Sequence, residues 1–424
     1  MSARNRVVAS VLLSGLIALL LPMLAAPPAW AAMVEPPGKI VFTGVEFKKA
    51  HVYVINSDGT GLTRITSLNH GDRDASWSPS GQSLVFASHR TGYWDIWVKN
   101  LSSGRVVQMT KTHLLDSQPV WSPDGSTIAF IRSNGTVAEV WLIDVATRQV
   151  RQLTHTGAVD ADPAWSVNDQ FVTYDATSLS QTALAYVDVS TGTSSPMPVG
   201  SGNNRSPAPS PDNATLAFVS DRSGGDAIWT LNSTNGATTQ LTDGSSTDLS
   251  PSWSAYATRF VFSRASGGGA PSLFTMSSDG SNQAPLATGS ITDDTNPQWM
   301  PLTSGQRAYD GQAQNNLLRA LNDANTFWAS DGSYANATAA NLASLDPGFV
   351  WQSLSSTGPA DMSVAVDGPS DDTFGVAAIS NSGECFVLRV VGGTAVGYGM
   401  TPTVVNCSGS YADNQATSPD GWPV

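Results

Sequence analysis

Six polar residues recur at one fixed position in the chain: Asp72, Asp116, Asp160, Asn204, Asp248 and Asp294 each stand five residues ahead of a repeated Trp-type position. If the strands they open are the innermost strands of a closed ring, these side chains circle one mouth of its channel. Negative potential would concentrate there and draw a cation or the basic segment of a protein or peptide partner. The same residues at strand entry can also cap turns by accepting backbone N–H bonds. His70, His113 and His155 lie seven, eight and ten residues ahead of their Trp, in three successive crossovers. Together with Asp72, Asp116 and Asp160 they offer imidazole and carboxylate ligands of the kind zinc takes. The uneven spacing speaks instead for three solvated loop histidines. No cofactor is therefore expected, and a divalent cation in the channel is the alternative. Nucleophile-elbow, phosphate-loop, dinucleotide-glycine and His-Glu-x-x-His patterns do not occur, so the catalytic residues expected are none.

A period of 44 residues positions these groups. Trp77-Ser-Pro-Ser-Gly, Trp121-Ser-Pro-Asp-Gly, Trp165-Ser-Val-Asn-Asp, Pro209-Ser-Pro-Asp-Asn and Trp253-Ser-Ala-Tyr-Ala start 44 residues apart, and a sixth copy begins 46 residues on at Trp299. Short apolar strands keep step, as at Leu84-Val-Phe and Phe260-Val-Phe, and so do second ones such as Asp95-Ile-Trp-Val. Four short strands per repeat, six times over, predict a mainly β chain with a six-bladed β-propeller. The Ser-Pro-Asp-Gly turn joins each Trp strand to the next apolar strand as a hairpin. On that register Ile40–Phe42 lacks an upstream partner and the Trp299 strand lacks a downstream one. The two are expected to pair, closing the ring by strand exchange between its ends. Trp97, Trp141 and Trp229 are read as blade-packing residues.

The pattern Asp-x-x-Pro-x-Trp-Ser-Pro-Asp-Gly, followed by an apolar strand ending in Phe and then Ile-Trp, resembles the TolB-type propeller repeat. The resemblance spans residues 36–301. It implies the propeller fold and leaves function open, because the repeat serves in periplasmic binding scaffolds and beside peptidases alike.

After Pro301 the composition changes. Ala313, Leu317, Leu321, Ala324 and Trp328 make one apolar face of a helix over 306–329. Short strands then read at Val350-Trp, Met362–Val366, Phe374–Ile379, Cys385–Leu388 and Val404-Val. This predicts a small α+β domain, one long helix on an antiparallel sheet, over 306–410. Gln314-Asn-Asn-Leu-Leu-Arg-Ala-Leu, Ser363-Val-Ala-Val and Gly383-Glu-Cys-Phe resemble the globular part of type IV pilin-like proteins. Pilins, however, begin with a very hydrophobic helix, and here a propeller takes its place. Cys385 and Cys407 are the two cysteines of the chain, and in an exported protein they read as a disulfide. Residues 411–424 read as a flexible tail.

Residues 1–31 have the form of a signal peptide: Arg4 and Arg6, an apolar run Val7–Ala26, and Ala29-Trp30-Ala31 as cleavage site. The run is also long enough for an uncleaved anchor. The formal charge is −13, and about −15 once the two leader arginines are removed. That balance argues against nucleic acid, whose phosphates need clustered Lys and Arg, and against docking on anionic lipid through charge alone. The sequence thus predicts a secreted or cell-envelope protein that is not an enzyme. It would bind a protein or peptide through the propeller channel face, use the pilin-like domain as a second module, and have no stable membrane insertion after cleavage. The alternative is a carbohydrate or small-ligand binder, or a metal-assisted lyase or hydrolase at the channel mouth. A component of a pilus-like assembly is a third reading.

Overall fold

The computed structural model describes residues 38–179 and 181–302 continuously, and strands and helical positions at intervals from 316 to 401. Each repeat makes an antiparallel four-stranded sheet, and the second shows why. Its strands are Asp72–Trp77, Ser83–Ser88, Asp95–Asn100 and Val106–Gln108. Leu84 and Phe86 pack toward the first sheet with Val41, Val54 and Trp77, whereas Val85 and Ala87 pack toward the third with Ile128 and Phe130. A strand that is apolar at every position is buried on both faces, because successive side chains point to opposite sides. The cores therefore lie between neighbouring sheets.

The turn after each Trp strand needs one residue in the left-handed region. Gly81, Gly125, Asp169, Asn213 and Ala257 hold it, at φ 66°, 77°, 61°, 57° and 58°. Gly, Asp and Asn tolerate that region, and Ala257 bears its strain. The serine before it closes the turn: Ser78 Oγ accepts from the Ser83 amide at 3.0 Å and Ser122 Oγ from Thr127 at 3.0 Å. Repeats that depart from Ser-Pro-Asp-Gly thus keep its backbone.

Among the described residues 38–302, twenty-four strands fall into six groups of four. Two groups merge into one eight-stranded sheet through a single parallel pair, Ala138 with Val159. Thr292–Trp299 pairs with Lys39–Glu46 (Ile40 opposite Trp299, Val41 opposite Gln298), so one sheet takes its strands from both ends of this region. The Trp77 amide donates to Gln298 Oε1 at 2.9 Å, across 221 residues of chain. Trp299 is buried with Ile40, Phe42 and Tyr53.

Beyond residue 302, Leu317, Ala320 and Ala324 are helical and buried, in keeping with an apolar stripe; Ala313 and Trp328 lie outside the described residues. A helix, Ala339–Leu345, precedes a five-stranded sheet of Val350–Gln352, Asp361–Asp367, Thr373–Ile379, Cys385–Val391 and Thr394–Thr401 in that order. The first pair is parallel, against the expected all-antiparallel sheet. The fifth strand runs through the glycines of Gly397-Tyr-Gly, which hid it from strand propensity. Val404-Val, Cys407 with the disulfide expected of it, the tail and residues 1–31 lie outside the described residues. Ala32–Val424 is a compact unit of its own. Among the described residues no helix is long and apolar enough to cross a membrane.

Because Trp299 fills the seam where the two ends meet, Trp299→Ala is expected to lower the unfolding free energy by ~3–5 kcal/mol. Val106→Ala, at an exposed outer strand, should change it by no more than ~0.5 kcal/mol. Equal losses in urea titrations would remove the closing strand from its structural role.

Candidate functional site

The strand carrying the Trp-type position, such as Asp72–Trp77, pairs with a single strand of its own group; in the fourth group it also meets the third through the Ala138–Val159 pair. The residue that opens the expected ring is buried in all six repeats. In four repeats its side chain meets an arginine there. Arg132 reaches both oxygens of Asp116 at 2.7 and 2.8 Å, and Arg264 both of Asp248 at 2.6 and 2.7 Å. Arg90 donates to Asp72 at 3.1 Å, and Arg222 donates to Asn204 at 2.7 Å. Each guanidinium is flanked by two aromatic rings: Phe86 and Trp97 for Arg90, Phe130 and Trp141 for Arg132, Phe218 and Trp229 for Arg222, Phe262 and Phe274 for Arg264. The repeated Trp97, Trp141 and Trp229 thus lie beside a cation inside the blade. This corrects the expectation that Asp72, Asp116, Asp160, Asn204, Asp248 and Asp294 line a channel mouth. Backbone caps do not account for them either, since their partners are chiefly side chains.

Two of the six lack an arginine. Opposite Asp160 stands Ala176, and beside Asp294 stands Gly44. Thr288 donates to Asp294 at 2.5 Å, and burial pushes that carboxyl up to about 6 against the Thr288 bond. Around Asp160 the hydrogen count is short. Thr154 Oγ1 accepts from the Val140 amide at 2.8 Å and lies 2.7 Å from Glu139 and 2.6 Å from Asp160. One hydroxyl proton cannot serve both carboxylates, so one carboxyl must carry a proton. Burial assigns it to Asp160, raised to about 7 despite bonds from Thr154 and Thr156. Burial opposes ionisation of Glu139 too, but bonds from Thr154 and the Gly157 and Thr156 amides outweigh it and lower its pKa.

The groups that do face the axis stand two residues further on: Asp74, Gln118, Asp162, Ser206, Ser250 and Asn296. All six have positive φ, between 46° and 56°. A register break spans this position in each pairing, between Arg73 and Ser76 and between Ala161 and Ala164 for example. The bulge turns the side chain toward the neighbouring sheet. Gln118 donates to Asp162, Ser206 donates to Asp162 at 2.8 Å, Ser250 to Asn296 at 3.0 Å, and Asn296 to Asp74 at 2.7 Å. The Gln118 amide also bonds Asp74. Burial raises the pKa of Asp74 against the nearby Arg73 and the Asn296 bond. Burial likewise raises Asp162, with Asp74 adding to the effect, and raises buried Asp175 well above the ordinary range, with Asp162 contributing.

This tier borders a cavity of about 560 Å³. Along the strands its wall continues through Pro119, Pro163, Pro207, Pro251 and Pro297, then Trp77, Trp121, Trp165, Trp253 and Trp299, then Pro79, Pro123 and Pro211. Asp74 and Asp162 are the charged residues in the wall, and no lysine, arginine or histidine joins them among the described residues. The sequence signal for this tier was the polar-Pro-x-Trp spacing, which reading for carboxylates alone overlooked.

The histidines are not brought together. His113 and His155 are exposed, His70 is half-buried, and His113 stacks edge-on against Tyr93 at 4.6 Å. No group of three or more His, Cys, Asp or Glu side chains able to hold a metal exists among the described residues.

The TolB beta propeller domain model matches residues 22–208 and 188–325, more than half of the chain. The chain belongs to the TolB beta propeller domain family. Solved structures agree with that fold. TolB from Acinetobacter baumannii is 22% identical with a TM-score of 0.57, over 62% of this chain and 67% of that one. The protein taken as TolB in Agrobacterium tumefaciens is 17% identical with a TM-score of 0.51, over 63% and 99%. Hydrazine synthase of Kuenenia stuttgartiensis is 12% identical with a TM-score of 0.54, over 64% and 48%. At such identities the common property is the fold, and this TolB-type propeller shares it with a synthase. No curated protein matches the sequence.

Removing one partner of a buried ion pair strands a charge. Arg264→Ala is expected to destabilise by ~3–5 kcal/mol, and Asp248→Asn with Arg264→Met to recover most of it; an equally large loss in the double variant would contradict the pairing. Asp294 and Asp160 bind protons more tightly folded than unfolded. Their linkage therefore makes the propeller more stable as pH falls, from about 6 toward the ordinary 3.8 for Asp294 and from about 7 for Asp160. Melting curves across that window should show the rise, and Asp294→Asn with Asp160→Asn should reduce it, leaving the part that Asp74, Asp162 and Asp175 contribute with the same sign.

Proposed function

We propose that the chain is an extracytoplasmic scaffold without catalytic activity, and that its propeller holds an extended segment of a protein partner in the axial cavity. In this reading the propeller has six blades closed by the Trp299–Ile40 strand pair. The carrying observation is the cavity wall: proline and tryptophan surfaces throughout, and two carboxylates, Asp74 and Asp162, as its charges. Such a wall suits an apolar peptide bearing one basic side chain. The aromatic faces attract its cation, and the two carboxylates, held back from ionising by burial, gain a counter-charge. The basic partner segment expected at the ring of Asp72, Asp116, Asp160, Asn204, Asp248 and Asp294 is in this reading assigned to Asp74 and Asp162, two residues along the repeat. Residues 306–410, with their resemblance to pilin-like globular domains, act as the second interaction module. Export through residues 1–31 belongs to the same reading.

The test is fluorescence anisotropy with labelled hexapeptides of Pro, Trp and Leu around a central Lys, Arg, Gln or Glu. Lys and Arg peptides should bind best, and Asp74→Asn with Asp162→Asn should weaken them at least ~10-fold, as expected when a desolvated counter-charge is removed. Equal binding of Gln and Lys peptides, or an unchanged affinity in the double variant, would sink the assignment. Turnover of an oligosaccharide that is abolished by Asp162→Asn would replace the scaffold with an enzyme.

A further inference from the structure

The strand directions put two sets of loops at one end of the sheets: the entries to the first strands and the hairpins between second and third strands. The Ser-Pro turns lie at the other end. Over the first four sheets the loop end is studded with large apolar side chains. Phe47, 77% exposed, and Leu179, fully exposed, sit at hairpin tips with φ of 52° and 59°, where a bulky residue is uncommon. Tyr93 occupies the corresponding hairpin of the second sheet, and Leu114, Leu115 and Val159 the entries to the third and fourth. Between residues 181 and 302 no large hydrophobic side chain is exposed among the described residues.

Charge divides the same way. On the apolar arc Lys48, Lys49 and Lys111 are exposed. The acids of its loops and strand ends, Asp72, Asp95, Asp116, Glu139, Asp160 and Asp175, are all buried, and Glu46 is held by Arg64 and Tyr53 at 2.8 Å each. The remaining arc carries Asp221, Asp226, Asp243 and Asp293 at or near the surface, with Arg205 paired to Asp226. Among the described residues at this end of the sheets, a cationic, apolar-tipped arc thus stands beside an acidic one.

We propose that this arc docks the protein peripherally on an anionic lipid bilayer. The apolar groups stand on loops from four of the six four-stranded groups rather than in one flat patch, so each can enter a soft interface independently. Phe47-Lys48-Lys49 sets an aromatic ring beside two cations, the combination suited to the boundary between acyl chains and headgroups. Lysine stems lie along apolar surface while their ammonium groups meet lipid phosphates. The acidic arc, repelled by the same surface, fixes the orientation. The total charge weighs against adsorption by charge alone, whereas a local arc with apolar anchors supplies two signals at once.

The test uses the chain from Ala32 to Val424, which leaves out the apolar run of residues 7–26. It is sedimented with vesicles of phosphatidylglycerol and phosphatidylethanolamine in equal parts, and with phosphatidylcholine vesicles. The parent should partition onto the anionic vesicles and fall away as salt is raised. Phe47→Asn with Leu179→Asn, residues that suit positive φ, should reduce partition about 10-fold or more. Lys48→Glu, Lys49→Glu and Lys111→Glu together should reduce it on the order of 100-fold. Near-UV circular dichroism checks that each variant keeps the parent's packing, and the two sets fail independently if one does not. Absence of parent binding, equal partition of parent and both variants, or equal binding to phosphatidylcholine would each overturn the proposal. Binding of polyglutamate without binding of vesicles would overturn it in favour of an acidic protein partner.

Discussion

A ring of sheets has an open edge until its first and last strands meet, and here that meeting joins residues some 250 apart in sequence. Ile40 lies opposite Trp299, and Gln298 reaches across to the amide of Trp77. Everything at the axis depends on this seam. Asp74 and Asn296 come from the first and last of the six inner strands, and their hydrogen bond exists because the seam places those strands side by side. The cavity wall likewise takes residues from all six inner strands.

The second constraint is electrostatic. An inner strand that carries an acid at its entry must neutralise it once the sheets close over it, because an unpaired buried charge is costly. Three repeats use an arginine flanked by two aromatic rings, and a fourth keeps the arginine but sets it against the neutral Asn204. Two use threonine and, at Asp160, a proton shared within reach of Glu139. The choice follows from the facing strand, where Ala176 and Gly44 leave no cation to offer. The acids that sequence spacing makes conspicuous are thus structural. Those facing the cavity are the less regular ones, shared out among Asp, Gln, Ser and Asn.

How much was legible can be judged residue by residue. The 44-residue period marked the strands, their order and the pairing of Ile40 with Trp299, because hydrophobic periodicity and turn chemistry are local properties. The direction of the Asp72-type side chains was not legible, since a β-bulge at the next residues resets the alternation by which inward and outward faces are counted. The convergence of His70, His113 and His155 failed for a related reason: uneven crossover lengths leave side chains on different loops without a common focus. Past residue 302, the strand Thr394–Thr401 was hidden by glycines whose pairing is set by neighbours and not by propensity.

The prolines that follow the bulges have a consequence for how any guest must be held. Pro119, Pro207, Pro251 and Pro297 lie on strands at the edge of their sheets, Pro163 lies on the strand joined to its neighbour by the Ala138–Val159 pair, and none has an N–H to give. Several remaining edge amides are already engaged by adjacent repeats: Asp74 by Thr43, Ser206 by Asp175, Trp121 by Ser76 and Trp299 by Ser252. The axial edge is therefore closed to strand addition, the mode in which a guest main chain extends a sheet and sequence hardly matters. Whatever enters must be read through its side chains, so selectivity at the axis comes from shape and charge, and the propeller is protected from templating the aggregation that a free inner edge would invite.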